Sequence, residues 1–532
     1  MANYDLQYNA DLYLIVLPPP ENFTGVPNWC MVRLTWDTVS GNTIEGYNIY
    51  ISDSIDGVYT LINDQPILSD VGYYDYTLQT NGFTKYFKIS SVNNENIEGD
   101  LSESIVCEPQ TEGSISNSTI WSGNIYITGD VIIESDGFLT INAGTVVNYD
   151  EGSANISVIG EIFALGSSAN FITFKNTNIT LNDIESEDPI FQYCFFEDSG
   201  SKINCSDSNF EIEFCEFVNC GQVVNSNNST FKIANSNFDN SSILASQSEI
   251  ELTNLDITGS TITSELSSIN TSSCNYSGSS ISLDDDDIYV QNCNFTGSSI
   301  DIDSIEHYIN VVITDNDFGS SALSVYSAND GNYVSATINN NFIHDSGSSP
   351  LSVIGRFGTF EFSQNIIDNC CGGNIIKFNS FRGSGSISNN FICNNITSSI
   401  LIQIHYSDNG SGNIILENNV ICNNDSPIII QLMRQNYPHS ATIINNTISY
   451  NQGLAIENVN SDIDLSIINS ILWYNQDFIV GSADIIFSNL QTDIEGEGNI
   501  SEEPNFIDYL STNFYLDSNS PCIDSGTIDV RR

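Results

Sequence analysis

The sequence predicts an all-β protein, a parallel β-helix solenoid preceded by a small antiparallel sandwich. Three observations predict it. A degenerate phrase, Asn or Cys, any residue, an aromatic or aliphatic, then Asn-Ser-Gly punctuation, recurs about every 23 residues through most of the chain. Short β-branched runs such as IYITGDVIIE, LTINAGTVV and FITFKN are split by Gly, Asn, Asp and Ser, which favour turns. No segment carries a sustained 3.6-residue apolar stripe with a capping box, so helices are expected to be nearly absent.

Residues 15–109 carry strands without the repeat. In order they are VRLTWDTV (32–39), GYNIYISDS (46–54), GVYTLIN (57–63), YYDYTL (73–78), KYFKISSVN (85–93) and SESIVCEP (102–109). Strands at this spacing with turns between them predict an antiparallel sandwich. PPPENFTG, Leu34-Thr35-Trp36, Gly46-Tyr47-Asn48-Ile49-Tyr50 and Tyr86-Phe87-Lys88-Ile89 together resemble a fibronectin type III module. The resemblance implies a spacer or binding module, with Trp36 in the core and Tyr86 as the corner tyrosine.

Residues 110–526 are read as the solenoid. Its first coils, 114–176, run through Ile127-Thr128-Gly129-Asp130-Val131, Gly137-Phe138-Leu139-Thr140-Ile141 and Ala143-Gly144-Thr145-Val146-Val147, then Gly160-Glu161-Ile162-Phe163 and Phe171-Ile172-Thr173-Phe174. The terminal coil, about 487–526, holds Glu503-Pro504-Asn505-Phe506, Phe514-Tyr515-Leu516 and Ser520-Pro521-Cys522-Ile523-Asp524-Ser525-Gly526. These motifs resemble secreted bacterial surface proteins of the right-handed, pectin-lyase-like β-helix fold. That fold hosts lyases, hydrolases, epimerases and non-catalytic adhesins, so the resemblance speaks for fold rather than activity.

Between these ends the repeat places one marker per coil, at Phe196, Phe217, Phe238, Ile257, Tyr276, Phe295, Phe318, Phe342, Ile366, Phe391, Val420, Thr447 and Ile471. Such units cannot bury a core alone and must stack. Equivalent positions then lie about 4.8 Å apart and form side-chain ladders. The markers are expected inside. Cys194, Cys215, Cys274 and Cys293 sit two before the marker, the slot of Asn340, Asn389, Asn418 and Asn445 later on, and read as small buried residues. Thirteen Cys without a Cys-x-x-Cys pair give no disulfide framework, although Cys30 with Cys107 stays open.

Lys+Arg total 12 against 67 Asp+Glu, a formal net charge of −55. A nucleic-acid partner needs a basic stripe and is not expected, nor is an anionic membrane. No run is long enough for a membrane span. The expected localisation is secreted or cell-surface, in a chain that is a fragment of a longer secreted protein with its signal peptide and anchor outside these residues. Oligomeric state stays open.

The scarce cations are the most informative polar residues. Arg356, His405 and Arg434 each lie 14 residues after Phe342, Phe391 and Val420, and Arg382 lies 16 after Ile366. Each follows an apolar strand, so stacking is expected to align them at one strand end. With Lys377 they form a candidate polysaccharide-binding row. The alternative is catalysis by Arg356, Arg382, His405 or Arg434 in a lyase or hydrolase acting on an acidic polysaccharide. No Gly-His-Gly of the polygalacturonase type occurs, and the bland reading pairs each cation with a nearby acid. Asp284-Asp285-Asp286-Asp287 reads as a solvated turn or, with Asp315 and Asp317, as calcium ligands. Tyr406, Tyr437 and Trp473 fall off the marker slot and are candidate sugar-stacking rings. The leading expectation is a glycan-binding or adhesive protein rather than an enzyme.

Overall fold

The computed structural model describes residues 17–527 except 29–30, 40–43, 78–84, 108–110, 150–152, 185–187, 198–201, 305, 328–333, 348, 355–356, 382, 407–411, 435–437 and 460–462. Among them the one helical element is a short turn, Tyr509–Ser511, in an otherwise all-β chain.

The N-terminal strands form two antiparallel sheets. One joins Thr24–Asn28, Met31–Thr35 and Tyr73–Thr77; the other is built on Ile44–Ser52 and Lys85–Asn93, flanked by Thr60–Leu61, Ile67–Leu68 and Ile105–Cys107. Alternating residues Val32, Leu34, Ile49, Phe87 and Ile89 close the core around Trp36, whose ring meets Tyr47 edge-on at 5.4 Å. The buried tyrosine is Tyr47 rather than Tyr86. Its hydroxyl accepts from Val39 N at 2.7 Å and donates to Ser69 O, while Tyr86 is half-buried. Cys107 is a free thiol, and Cys30 lies outside the described residues.

The rest winds into a parallel β-solenoid with three strands per coil. The first face is a 17-stranded parallel sheet from Ser118–Trp121 to Asp484–Ile486. The second face stacks short strands such as Asn294–Thr296, Asp317–Gly319 and Phe342–His344. The third stacks longer ones such as Ile376–Phe381, Ile400–Tyr406 and Ile428–Met433. Strand alternation sends every second side chain inward, and stacked rings fill the core. Phe174, Phe196, Phe217 and Phe238 stack at 4.5–4.9 Å, as do Tyr276, Phe295 and Phe318 at 4.7 Å.

After Phe318 the ladder departs from the expected register by one residue. Phe318 pairs with Ile343, followed by Ile367, Ile392, Ile421, Ile448 and Leu472. Phe342, Ile366 and Phe391 therefore face outward, and Phe342 and Ile366 are 38% and 44% exposed. A one-residue slip inverts a strand's faces. The corner asparagines fix the register. Asn341, not Asn340, continues the slot of Cys293 and Asn316: its Oδ1 accepts Asn316 N at 3.0 Å and its Nδ2 donates to Ile313 O at 3.0 Å. Asn365, Asn390, Asn419 and Asn446 repeat this, so the ladder satisfies corner backbone groups that would otherwise be buried unpaired. Asn340, Asn389, Asn418 and Asn445 precede it with φ between 54° and 59°, the left-handed conformation Asn tolerates.

Cys194, Cys215, Cys274 and Cys293 are free and buried in the corner slot, as the sequence suggests. One disulfide does form. Cys393 and Cys422 are register partners on adjacent coils, with Cα atoms 4.8 Å apart.

Candidate functional site

Coil stacking turns outward positions of the third face into rows. Lys377, Gln403, Gln431 and Glu457 are successive partners on four coils. Their amides run as a chain: Asn374 Nδ2 donates to Gln403 Oε1 at 2.8 Å, Gln403 Nε2 to Gln431 Oε1 at 3.0 Å, and Gln431 Nε2 to Glu457 Oε2 at 2.6 Å. Two positions along, His405 Nδ1 donates to Asn379 Oδ1 at 2.6 Å. Lys377, Gln403, His405 and Glu457 are half-buried and Gln431 is buried, so this is a polar surface fixed by its own hydrogen bonds.

Of the four cations expected to align, only His405 and Arg434 lie among the described residues, and these two are not register partners. Arg356 and Arg382 lie outside the described residues. His405 pairs with Met433, and Arg434 follows one residue later, so His405 and Arg434 occupy neighbouring rather than equivalent positions. The cause is one extra residue between faces. Ile392 and Ile402 are ten apart where their partners Ile421 and Ile430 are nine apart, so equal offsets from a marker do not give equal ladder positions. Lys377 stands in the glutamine row.

The acidic candidates are dispersed. Asp284–Asp287 is a tight corner between the strands Ser280–Asp284 and Asp287–Gln291, not a solvated loop. Asp286 is fully buried in a corner slot held by Ser229, Ser248 and Ser267 in preceding coils, and burial lifts its carboxyl to about 6 against three hydrogen bonds that favour the anion. Asp285 accepts the backbone N–H groups of Glu306 and His307, and Asp287 accepts Asn310 N at 2.6 Å. Asp315 accepts from Asn340, which holds its pKa below the usual value. Among the described residues no group of three or more His, Cys, Asp or Glu side chains is arranged to hold a metal ion.

Tyr406 and Trp473 are buried and do not offer a stacking surface; Tyr437 lies outside the described residues.

Sequence reasoning missed a centre on the second face. His344 Nε2 meets Asp317 Oδ1 at 2.8 Å on one coil, and its Nδ1 meets Asp345 Oδ2 at 2.7 Å. Burial opposes protonation of the ring, but the hydrogen bonds and charges of Asp345 and Asp317 outweigh it and raise its pKa; His344 in turn lowers that of Asp345. The ring lies on Phe342, centroids 4.2 Å apart. From this centre a groove of 640 Å³ runs back along the stack, floored by Ser277, Thr296 and Gly319 and walled by Asn275 and Asn294. Asn294 Nδ2 donates to Asn275 Oδ1 at 2.8 Å, and Asn275 Nδ2 to Asp256 Oδ1 at 2.6 Å. The only sequence signal was the single His within a slot of small residues.

No protein-family model matches this chain, and no curated protein matches its sequence. Among solved structures it is similar to the family 28 exopolygalacturonase of Yersinia enterocolitica, at 9% identity over 90% of this chain and 98% of that one, with a TM-score of 0.17. It is similar to the A-module of the Azotobacter vinelandii mannuronan C-5 epimerase, at 12% identity over 72% and 91%, with a TM-score of 0.20. It is also similar to an Fn3-like protein of Clostridium thermocellum, at 24% identity over 18% of this chain and 99% of that one, with a TM-score of 0.15.

Proposed function

We propose that this protein is a secreted or cell-surface β-helix that binds glycans through its third face, as an adhesive or structural element rather than a catalyst. The observation that supports it is the row Lys377, Gln403, Gln431 and Glu457, with His405 and Asn379 beside it. Planar amides held in line present donors and acceptors at the strand spacing, which suits the hydroxyl pattern of a linear sugar chain. Because the chain holds its own side chains in place, little conformational entropy is lost on binding.

A second reading, a lyase or hydrolase acting on an acidic polysaccharide, draws on His405 beside this row, with Arg434 one residue beyond its register partner Met433. One experiment separates the two: screening against a glycan array, with reducing-sugar and unsaturated-product assays on every hit. The binding reading expects a hit that Gln403→Ala with Gln431→Ala weakens roughly thirtyfold, each lost hydrogen bond contributing about 1 kcal/mol, and no product. Sustained turnover of any polysaccharide refutes it.

A further inference from the structure

We infer that the trough on the second face, ending at Asp317, His344 and Asp345, is a separate binding site for a linear glycan that carries a free amine. This goes beyond the third-face reading and rests on different residues.

The shape points to a chain rather than a compact ligand. The trough crosses four successive coils, about 15 Å at the strand spacing, and its floor is kept low by Ser277, Thr296 and Gly319. A side chain at Gly319 would bring its Cβ within 3.3 Å of His344 Cε1, so the glycine keeps the end of the trough open beside the ring. Beyond the acidic end, Ser277, Thr296, Ser320, Asn275 and Asn294 bring hydroxyl and carboxamide groups to the lining, the chemistry that reads sugar hydroxyls.

The charge decides which sugar. Both ring nitrogens of His344 are engaged by the two aspartates, so the ring has no N–H left for an anion. Among the described residues no Lys or Arg lines the trough. Asp317 and Asp345 remain 49% and 51% exposed, Asp345 also accepting from Asn369, and two carboxylates against one imidazole leave the centre net negative. An acidic sugar would meet uncompensated carboxylates. An ammonium group instead finds acceptors for its three N–H bonds and a charge to neutralise. The trough therefore selects amine-bearing sugars and excludes uronates.

The test is calorimetric titration of the intact chain, at physiological ionic strength, with tetramers of glucosamine, N-acetylglucosamine and galacturonate. Only the glucosamine tetramer is expected to bind. Asp317→Asn with Asp345→Asn should weaken it roughly tenfold or more, as loss of charge-assisted bonds does. Thr296→Trp, at an exposed floor position, should abolish binding by filling the trough with its charges intact. Glu211→Gln with Glu249→Gln, which removes two exposed carboxylates from the first face, should leave it unchanged. Equal loss in that control would reduce the effect to the general −55 charge and overturn the site. Equal affinity for the acetylated tetramer, or binding that survives Thr296→Trp, would overturn it as well. If the aspartate pair fails to fold, Thr296→Trp alone still decides. Loss of the third-face row leaves this result unaffected, so the two readings fail separately.

Discussion

Replacing Asp286 by Ser should reverse the sign of a stability difference with pH. Ser229, Ser248 and Ser267 fill this slot in preceding coils, each accepting the backbone N–H of the coil before, as Ser248 N to Ser267 Oγ at 3.1 Å. Asp286 does the same for Ser267 N but brings a carboxylate into a fully buried site, and its pKa rises from 3.8 to about 6. An acid whose folded pKa is raised binds more protons folded than unfolded between those values, so stability falls as pH rises through the window. The full cost of ionisation is about 3 kcal/mol, and about 1.4 kcal/mol of it accrues between pH 5 and 8. Serine removes that cost but leaves Ser264 Oγ and Asp284 N without the carboxylate oxygen they bond at 2.7 and 3.0 Å, a loss of about 2 kcal/mol. The variant should thus be about equal to or less stable than the parent at pH 5 and more stable at pH 8. Urea denaturation of both proteins, followed by far-ultraviolet circular dichroism at each pH, measures the difference, and subtraction cancels the other titrations. A difference constant between pH 5 and 8, or one that shifts against the variant as pH rises, would refute the buried charged carboxylate.

Three further outcomes are expected. Phe318→Ala, in the buried stack, should cost about 3–5 kcal/mol, whereas Phe342→Ala, 38% exposed, should cost about 1 kcal/mol or less; equal costs in chemical denaturation would contradict the register shift. Breaking the Cys393–Cys422 bridge, which closes 29 residues, should cost about 3–4 kcal/mol on the chain-entropy account, read as a lowered thermal midpoint on reduction or in Cys393→Ser with Cys422→Ser. With −55 formal charges along the molecule, added sodium chloride should raise the thermal midpoint by screening; an indifferent midpoint would show that the ladders alone set stability.

The solenoid was legible because its signal is repeated. Thirteen coils each restate the same alternation, and an error in one is averaged out by the rest. The register of single coils was less legible, for a physical reason. In Ile338-Asn339-Asn340-Asn341-Phe342-Ile343 two residues compete for the inward slot and three asparagines for the corner. Sequence similarity favours Phe342 because Phe318 precedes it, but the backbone places Asn340 at positive φ and gives the corner to Asn341, whose carboxamide pairs with Asn316 and Asn365. Ile343 must then turn inward. Hydrogen-bond satisfaction at the corner, not ring size, sets the choice.

The polar sites were harder still, because a ladder is a property of two coils at once. An offset counted from one marker ignores insertions between faces, and a single extra residue before Ile402 moved His405 away from the slot of Arg434. His344 shows the converse. Its partners are one residue and 27 residues away, and nothing in the local phrase Phe342-Ile343-His344-Asp345 distinguishes it from its neighbours. Only the stack brings Asp317 beneath it, and only Gly319 leaves the ring room to lie there. In a solenoid, then, the core can be read along the chain, while function is read across it, between residues that one coil's insertion can bring together or part.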